Sequence, residues 1–346
     1  MTSISSTMAK ISVNRDFSGL PALVSGERQV FIVYDLNLSA EAEQIAALVP
    51  GVKGMIGITA DEDHKVMDTV VGICTRMMEA DADRGAFVLN VGGGVTTDMG
   101  GFAACIYKRG VRYANVPTTL LSQVDAGIGG KTGVNLLAFK NELGIIRQPE
   151  FVYINTSVLA TLPQQQMASG IAEMLKTFII GSAEDYRLAV QAIAEGGDLT
   201  AFIGKAAAIK QSVVDEDADE KGLRRVLNLG HTFAHAIEWA QHSGLSSGGV
   251  LSHGEAVAAG MVIAANVSQA LGICPESLVE TMKKDFAACG LPTQSPVALP
   301  LLRSALLKDK KAEDGSIHFV LVRDFGKVET RKMTVKDIYD LLGYTE

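Results

Sequence analysis

Cysteine is scarce in this chain, with four in 346 residues. Cys74, Cys105, Cys274 and Cys289 stand far apart and none forms a Cys-x-x-Cys pair. That argues against a disulfide framework or a cysteine-built zinc site, and predicts small buried thiols in a reducing compartment. Basic excess is missing too. At a formal charge of −8 the protein lacks the broad Lys/Arg surface that neutralises nucleic-acid phosphates, so any anion site must be local. Long apolar runs are absent: the longest, Ala256 to Ala265, is too short to cross a bilayer and reads as a buried helix. The opening MTSISSTMAKISVNRD has no apolar centre of the kind a secretory signal needs, so the sequence predicts a cytoplasmic protein with no membrane partner.

A glycine is missing where a nucleotide hydrolase would need one. The stretch VDAGIGGKT, residues 124 to 132, comes within one residue of a phosphate-binding loop, but Asp125 holds its first position. A carboxylate aimed into an anion cradle would repel the phosphates, so the near-match does not predict ATP or GTP.

What is present is ordinary globular material, 47% hydrophobic and 20% charged, long enough for two domains with substantial cores. From Arg28 the runs RQVFIVYD, GAFVLNVGGG and RYANVPTT alternate with amphipathic stretches, the pattern of parallel strands with crossover helices. After about Thr161 helical spacing dominates, in QQQMASGIAEMLKTFIIG, LTAFIGKAAAIKQSVVDE, LRRVLNLGHTFAHAIEWA and GEAVAAGMVIAANVSQALG. Only SIHFVLVRDFGKVET resembles a hairpin. We expect an α/β N-terminal Rossmann-like domain over residues 1–160 and a mostly α-helical domain over 161–346, with no internal repeat or low-complexity linker.

Three constellations could carry chemistry. Gly92, Gly93 and Gly94 close the strand AFVLN and lead into a helical pattern, which would let the backbone and a helix N-terminus hold a pyrophosphate. The spacing is not Gly-x-Gly-x-x-Gly, and a tight turn explains it equally well. Asp35 and Asn37 could bond ribose hydroxyls, or simply make a turn. His231 and His235 are four apart on a helix, so they share a face, and His253 follows; with a glutamate such as Glu173, which the spacing alone does not single out, they could surround a zinc-type ion with a position open for substrate. Basic residues are spread among Arg109, Arg112, Lys131, Lys140, Lys176, Lys210, Arg224, Arg225, Lys310 and Lys311. Most would serve equally as solvated surface, but Lys176 lies three residues after Glu173 on an apolar helix, and a cation beside a carboxylate suits an anionic substrate.

Taken in order, GGGVTTDMGGFAA, YKRGVRYANVPTTLLSQVDAGIGGKTGVN, KNELG, SGIAEMLK, LNLGHTFAHAIE and HGEAVAAGM resemble the 3-dehydroquinate synthase family of sugar-phosphate cyclases over nearly the whole chain. The resemblance implies NAD, contacted by Asp35, Asn37, Glu62, Lys65, Gly93, Gly94, Asp98, Thr118 and Thr119. It implies zinc, with cobalt or another divalent ion possible, on Glu173, His231 and His253. Here it departs from the helical spacing rule, which would add His235 as a ligand; the family pattern keeps His235 near the substrate. Arg109, Asp125, Lys131, Lys140, Asn141, Lys176, Lys210, Arg224, Asn228, His235 and one or both of Lys310 and Lys311 match its substrate-binding and catalytic positions.

The implied reaction closes 3-deoxy-D-arabino-heptulosonate 7-phosphate to 3-dehydroquinate with loss of phosphate, through transient oxidation, elimination, reduction and an intramolecular aldol step. The implied assembly is a homodimer. Phe139 replaces a glycine often found before the Lys-Asn pair, Ala234 replaces the second glycine of GHxxGHA, and ELGIIRQP follows Asn141 in place of the usual Met-Gly-Ala run. These changes bear on substrate identity. A sibling cyclase making an epi-valiolone or a deoxy-inosose is the nearest rival, although Arg224, Asn228 and His235 together favour the dehydroquinate branch. A metal-dependent polyol dehydrogenase would release NADH and usually has aspartate where Glu173 stands. A non-catalytic NAD-binding protein would require lost ligands, and none is lost.

Overall fold

The structure is a computed structural model and describes residues 9–137, 139–245, 249–308 and 316–344. It comprises two compact units, Met1–Leu162 and Pro163–Glu346.

The first unit contains strands β1 (Lys10–Asn14), β2 (Val30–Asp35), β3 (Val52–Ile58), β4 (Phe87–Gly92), β5 (Arg112–Pro117), β6 (Lys131–Leu136), β7 (Phe139–Ile146) and β8 (Phe151–Asn155). Its helices are α1 (Leu20–Val24), α2 (Ser39–Leu48), α3 (Met67–Glu79) and α4 (Gly94–Ile106). Six strands form one parallel sheet in the order β1-β8-β5-β4-β2-β3. Alternate residues of β2 explain why its sequence is apolar without alternation from Val30 to Val33. Val30 and Ile32 pack with Leu20, Val24, Ala42 and Ile45 of α1 and α2, whereas Phe31 and Val33 pack with Val70, Ile73 and Met77 of α3 and Met99 and Phe102 of α4. Both faces are covered, so no polar face is left to alternate. Each such side chain contributes about 1.5–3 kcal/mol by burial.

The chain leaves β2 outward to β3, then returns across it to β4 and continues the other way to β5. Adjacent strands whose connections diverge open a crevice at their carboxyl ends, the place where α/β sheets take ligands. That crevice lies between β2 and β4, beside Asp35 and Gly92. The remaining strands, β6 and β7, make a separate antiparallel pair that the sequence pattern does not predict. Its first residue is Lys131, so the GGKT stretch runs into a strand and supplies no helix N-terminus, unlike a phosphate-binding loop.

The second unit contains α5 (Gln164–Gly181), α6 (Ala183–Ala194), α7 (Thr200–Glu216), α8 (His231–His242), α9 (His253–Ala270), α10 (Glu276–Ala288), α11 (Leu299–Lys308) and α12 (Val335–Leu341). The strands β9 (Ser316–Asp324) and β10 (Lys327–Thr334) pair antiparallel, as the C-terminal pattern predicts. Helix α5 is buried without interruption from Ser169 to Ile180, and α9 almost so from Gly254 to Ala265. Helices buried all round are interior helices, and these two carry two of the three candidate metal ligands described below.

One expected helix is broken. LRRVLNLGHTFAHAIEWA forms a 3-10 turn at Leu223–Asn228, leaves helical geometry at Leu229, turns at Gly230 with φ +80°, and only then enters α8 at His231. The cause is a close backbone approach. A Cβ on Gly230 would stand 2.6 Å from the Val257 carbonyl oxygen, and one on Gly260 would stand 2.1 Å from that of Gly230. Glycine meets both demands, a left-handed conformation and contact between main chains.

Candidate metal centre and cofactor site

Helix α9 begins at Ser252 with a capping-box arrangement in which Glu255 Oε2 accepts the Ser252 N–H at 2.7 Å. Its first turn lies against α5. Gly254 donates its N–H to Ser169 Oγ at 2.9 Å, and a Cβ there would come within 2.1 Å of the Ser169 carbonyl oxygen. His253 is thereby held beside Glu173, one turn along α5 from Ser169. His231 reaches the same carboxylate from the first turn of α8.

Glu173 Oε1 lies 3.5 Å from His231 Nε2 and 3.4 Å from His253 Nε2. The three ligand atoms are within 4.8 Å of one another, and among the described residues this is the group of histidine, cysteine and acidic side chains that converges so closely. Ligands about 2.0–2.1 Å from a tetrahedral zinc stand about 3.4 Å apart, so the spacing and the N, N, O donor set fit such an ion with a fourth position left over. His235 is not in the group. Its ring centroid is 5.7 Å from that of His231 and 6.4 Å from that of His253, and helical spacing alone overstates its part.

Lys176 Nζ approaches the other oxygen, Glu173 Oε2, at 2.5 Å, with both side chains almost wholly buried. Burial by itself would raise the Glu173 carboxyl, but Lys176, His231 and His253 outweigh it and hold it below its ordinary value. The two imidazoles diverge. Burial, reinforced by Lys176, drives His231 well below its usual range. For His253 burial acts in the same sense but is overcome by hydrogen bonds to Glu173 and Glu238, which push it up to about 9.

Five charged side chains are buried among the described residues: Lys65, Glu173, Lys176, Lys210 and Arg224. All five are among the residues that the family resemblance implies. Burying a charge costs on the order of several kcal/mol unless partners or a ligand offset it, so each of the five is a candidate site residue within its own unit. Arg224 follows a tight loop that Asp217 organises. Asp217 accepts the N–H groups of Lys221 at 2.9 Å, Gly222 at 2.7 Å and Arg224 at 2.9 Å, while Arg224 Nη1 donates to the Ala218 carbonyl at 2.9 Å. Asn228 Nδ2 donates to Glu220 on the same loop at 3.0 Å. Asp217 and Glu238 are the residues that sequence reading missed. Glu238 was findable, since it falls seven residues after His231 on the same helical face; nothing in the sequence marks Asp217.

In the first unit, α4 opens at the crevice with Gly93 as its N-cap and no side-chain cap on its N–H groups, an arrangement that suits a pyrophosphate. Thr118 is buried just after β5, and Thr119 exchanges hydrogen bonds with Ser122. Asp35 Oδ1 accepts both the Asn37 N–H and Asn37 Nδ2 at 3.0 Å, so these two residues do make a local turn. Lys65 Nζ donates to Asp98 Oδ2 and to Asn141 Oδ1, each at 2.6 Å. Asn135 extends the chain of contacts, accepting the Asn141 N–H at 2.9 Å and donating to Glu62 Oε1 at 2.8 Å. Residues expected at a cofactor, Glu62, Lys65 and Asp98, thus share one network with Asn141, expected at a substrate. Asp125 lies on a single π-turn, Ser122–Ala126, a distortion common at functional sites. Arg109 is exposed on a turn where Lys108 and Arg109 both have positive φ, +48° and +69°. Lys131 and Lys140 are exposed on β6 and β7. Lys310 and Lys311 lie outside the described residues.

Comparison with known proteins bears on the whole arrangement. The family model for the 3-dehydroquinate synthase N-terminal region matches residues 55–169, and that for the C-terminal region matches residues 170–312. The 3-dehydroquinate synthase of Caulobacter vibrioides is 36% identical over 320 residues, 88% of this chain and 85% of the relative. That of Corynebacterium glutamicum is 39% identical over 329 residues, 90% and 88% of the two chains. Among solved structures, 2-epi-5-epi-valiolone synthase from Streptomyces hygroscopicus subsp. jinggangensis, with NAD+ and Zn2+ bound, superposes with a TM-score of 0.86 at 31% identity, covering 99% of this chain and 98% of that one.

Proposed function

The chain belongs to the 3-dehydroquinate synthase family, and from that premise we propose that it converts 3-deoxy-D-arabino-heptulosonate 7-phosphate to 3-dehydroquinate and phosphate in the shikimate pathway. It would do so as an NAD- and metal-dependent carbon–oxygen lyase. The observation that carries this reading is the buried Glu173 carboxylate, with His231 and His253 at tetrahedral spacing on one oxygen and Lys176 on the other.

We assign NAD to the first unit, against Gly93, Gly94, Asp98, Thr118 and Thr119, with Asp35 and Asn37 toward ribose and Glu62 and Lys65 beside them. Zinc, or another divalent ion such as cobalt, falls to Glu173, His231 and His253. When bound, NAD supplies a reversible hydride acceptor and the metal a Lewis acid that polarises a substrate oxygen. The 31% identical valiolone synthase, solved with both, supports the pair.

The chain's own residues then hold charge in place. Lys176 and Lys210 are buried point charges, and Arg224 offers a planar fork of donors suited to a carboxylate or phosphate. Because these cations are fixed by the fold, they need not reorganise as charge develops during elimination and ring closure. Asn228 and His235 add donors on the same unit. On the first unit Arg109, Lys131, Lys140 and Asn141 take corresponding roles toward the anionic sugar phosphate, with Asp125 as an active-site carboxylate. Lys310 and Lys311 share the family's remaining lysine position. The departing phosphate can take the proton itself, so no dedicated protein base is required. We extend the family's homodimer and a cytoplasmic location to this chain; the four cysteines, all free thiols, agree with a reducing compartment.

Incubation with the heptulosonate phosphate, catalytic NAD and zinc tests the reading. Equimolar phosphate and dehydroquinate, with no accumulation of NADH, is the expected result. Turnover of sedoheptulose 7-phosphate in its place would move the chain to a sibling cyclase, and accumulating NADH would make it a dehydrogenase.

A further inference from the structure

We propose that Glu238 is the positioning residue for the metal ligand His253, an inference that rests on the metal reading above. Both ligand imidazoles turn Nε2 toward Glu173 Oε1, and each has an acceptor at Nδ1. For His231 that acceptor is the main-chain carbonyl of Leu229, at 3.2 Å. For His253 it is the side chain of Glu238, Oε1 at 3.3 Å. An acceptor at Nδ1 fixes the proton there, leaves the Nε2 lone pair for a metal, and stops the ring from rotating.

Glu238 is well placed to do this. It lies two helical turns after His231 on α8, so one face of one helix presents a ligand and the group that aims the next ligand. Gln241, three residues further, holds the chain just ahead of His253: its Oε1 accepts the Leu251 N–H at 2.7 Å and its Nε2 donates to the Leu251 carbonyl at 3.2 Å. The α8 backbone is itself fixed against α9 by the contact of Gly230 with Gly260. Helix α8 therefore grips both the main chain before His253 and its ring. Of the two Nδ1 acceptors only this one is a side chain, so it is the one that substitution can remove.

Two variants separate position from charge. Glu238→Gln keeps an oxygen at the same reach but loses the charge; Glu238→Asp keeps the charge but draws the oxygen back by one methylene. The zinc dissociation constant of each, measured by competition with a chelator, is the readout, together with the absorption spectrum of the cobalt(II)-loaded proteins. Glu238→Asp is expected to bind zinc about 10- to 100-fold more weakly with an altered cobalt spectrum, and Glu238→Gln to stay within about threefold of the parent. Parent-like binding by Glu238→Asp, or a loss confined to Glu238→Gln, would overturn the proposal. Absence of zinc binding by the parent protein would instead overturn the metal reading on which it stands.

Discussion

Lys176 and Glu173 lie on one face of α5, three residues apart, with ammonium and carboxylate 2.5 Å from each other and almost no exposure to solvent. A buried pair of this kind is costly to break, because removing one partner strands the other. Replacing Lys176 with methionine is expected to destabilise the metal-free protein by about 3–5 kcal/mol. Zinc on Glu173 offers a second counter-charge, so the loss should be smaller in the loaded protein. Urea unfolding of both forms checks this, and equal losses with and without zinc would show that the ion and Lys176 do not share the carboxylate.

The network around Lys65 leads to a different expectation. One ammonium joins Asp98, at the amino end of α4, to Asn141 on β7, whose own backbone conformation is left-handed, with φ +55°. Lys65→Ala removes a donor shared by residues assigned to the cofactor and to the substrate. We expect kcat/KM to fall about 10- to 100-fold and the Michaelis constants for NAD and for the sugar phosphate to rise together. A rise for NAD alone would detach Asn141 from the substrate.

Asp217 supplies a pH dependence whose sign follows from its partners. The N–H of Arg224 is the main cause that lowers its carboxyl, joined by those of Gly222 and Lys221 and opposed by burial. A carboxyl lowered by folding stabilises the loop fully above its ordinary value, about 3.9, and that stabilisation is lost as pH falls through the folded value. The 217–224 loop should therefore stay protected from hydrogen exchange at neutral pH and open only in acid. Asp217→Asn, which turns an amide donor toward backbone donors, should expose the loop at neutral pH and raise the substrate Michaelis constant. Protection in this variant equal to that of the parent at pH 7 would remove Asp217 from the support of Arg224.

The parallel sheet was legible because β2, β4 and β5 are largely buried and carry apolar runs, interrupted inside only at Asn90 and Asn115, which hydrogen-bond each other. Helix α5 was legible to its ends for a similar reason. Strands β6 and β7 were not: β7 is exposed along nearly all its length, so no buried face imposes an alternation on FKNELGII. The break before His231 was hidden because its cause lies some thirty residues away, at Val257 and Gly260. Within the candidate metal centre the imidazoles stood out by their spacing, but Glu173 needed the family pattern. A glutamate in a helix looks the same in sequence whether it faces water or is buried. The same holds for Lys65, whose link to Asn141 spans 76 positions.

The close backbone approaches at Gly230, Gly254 and Gly260 mean that the separation of Glu173, His231 and His253 is set by main chain resting on main chain. Side-chain packing elsewhere in the helical unit has little leverage over it. Side chains that touch none of the three can then be exchanged without moving the triangle, whereas Glu238 and Lys176, which do touch it, cannot.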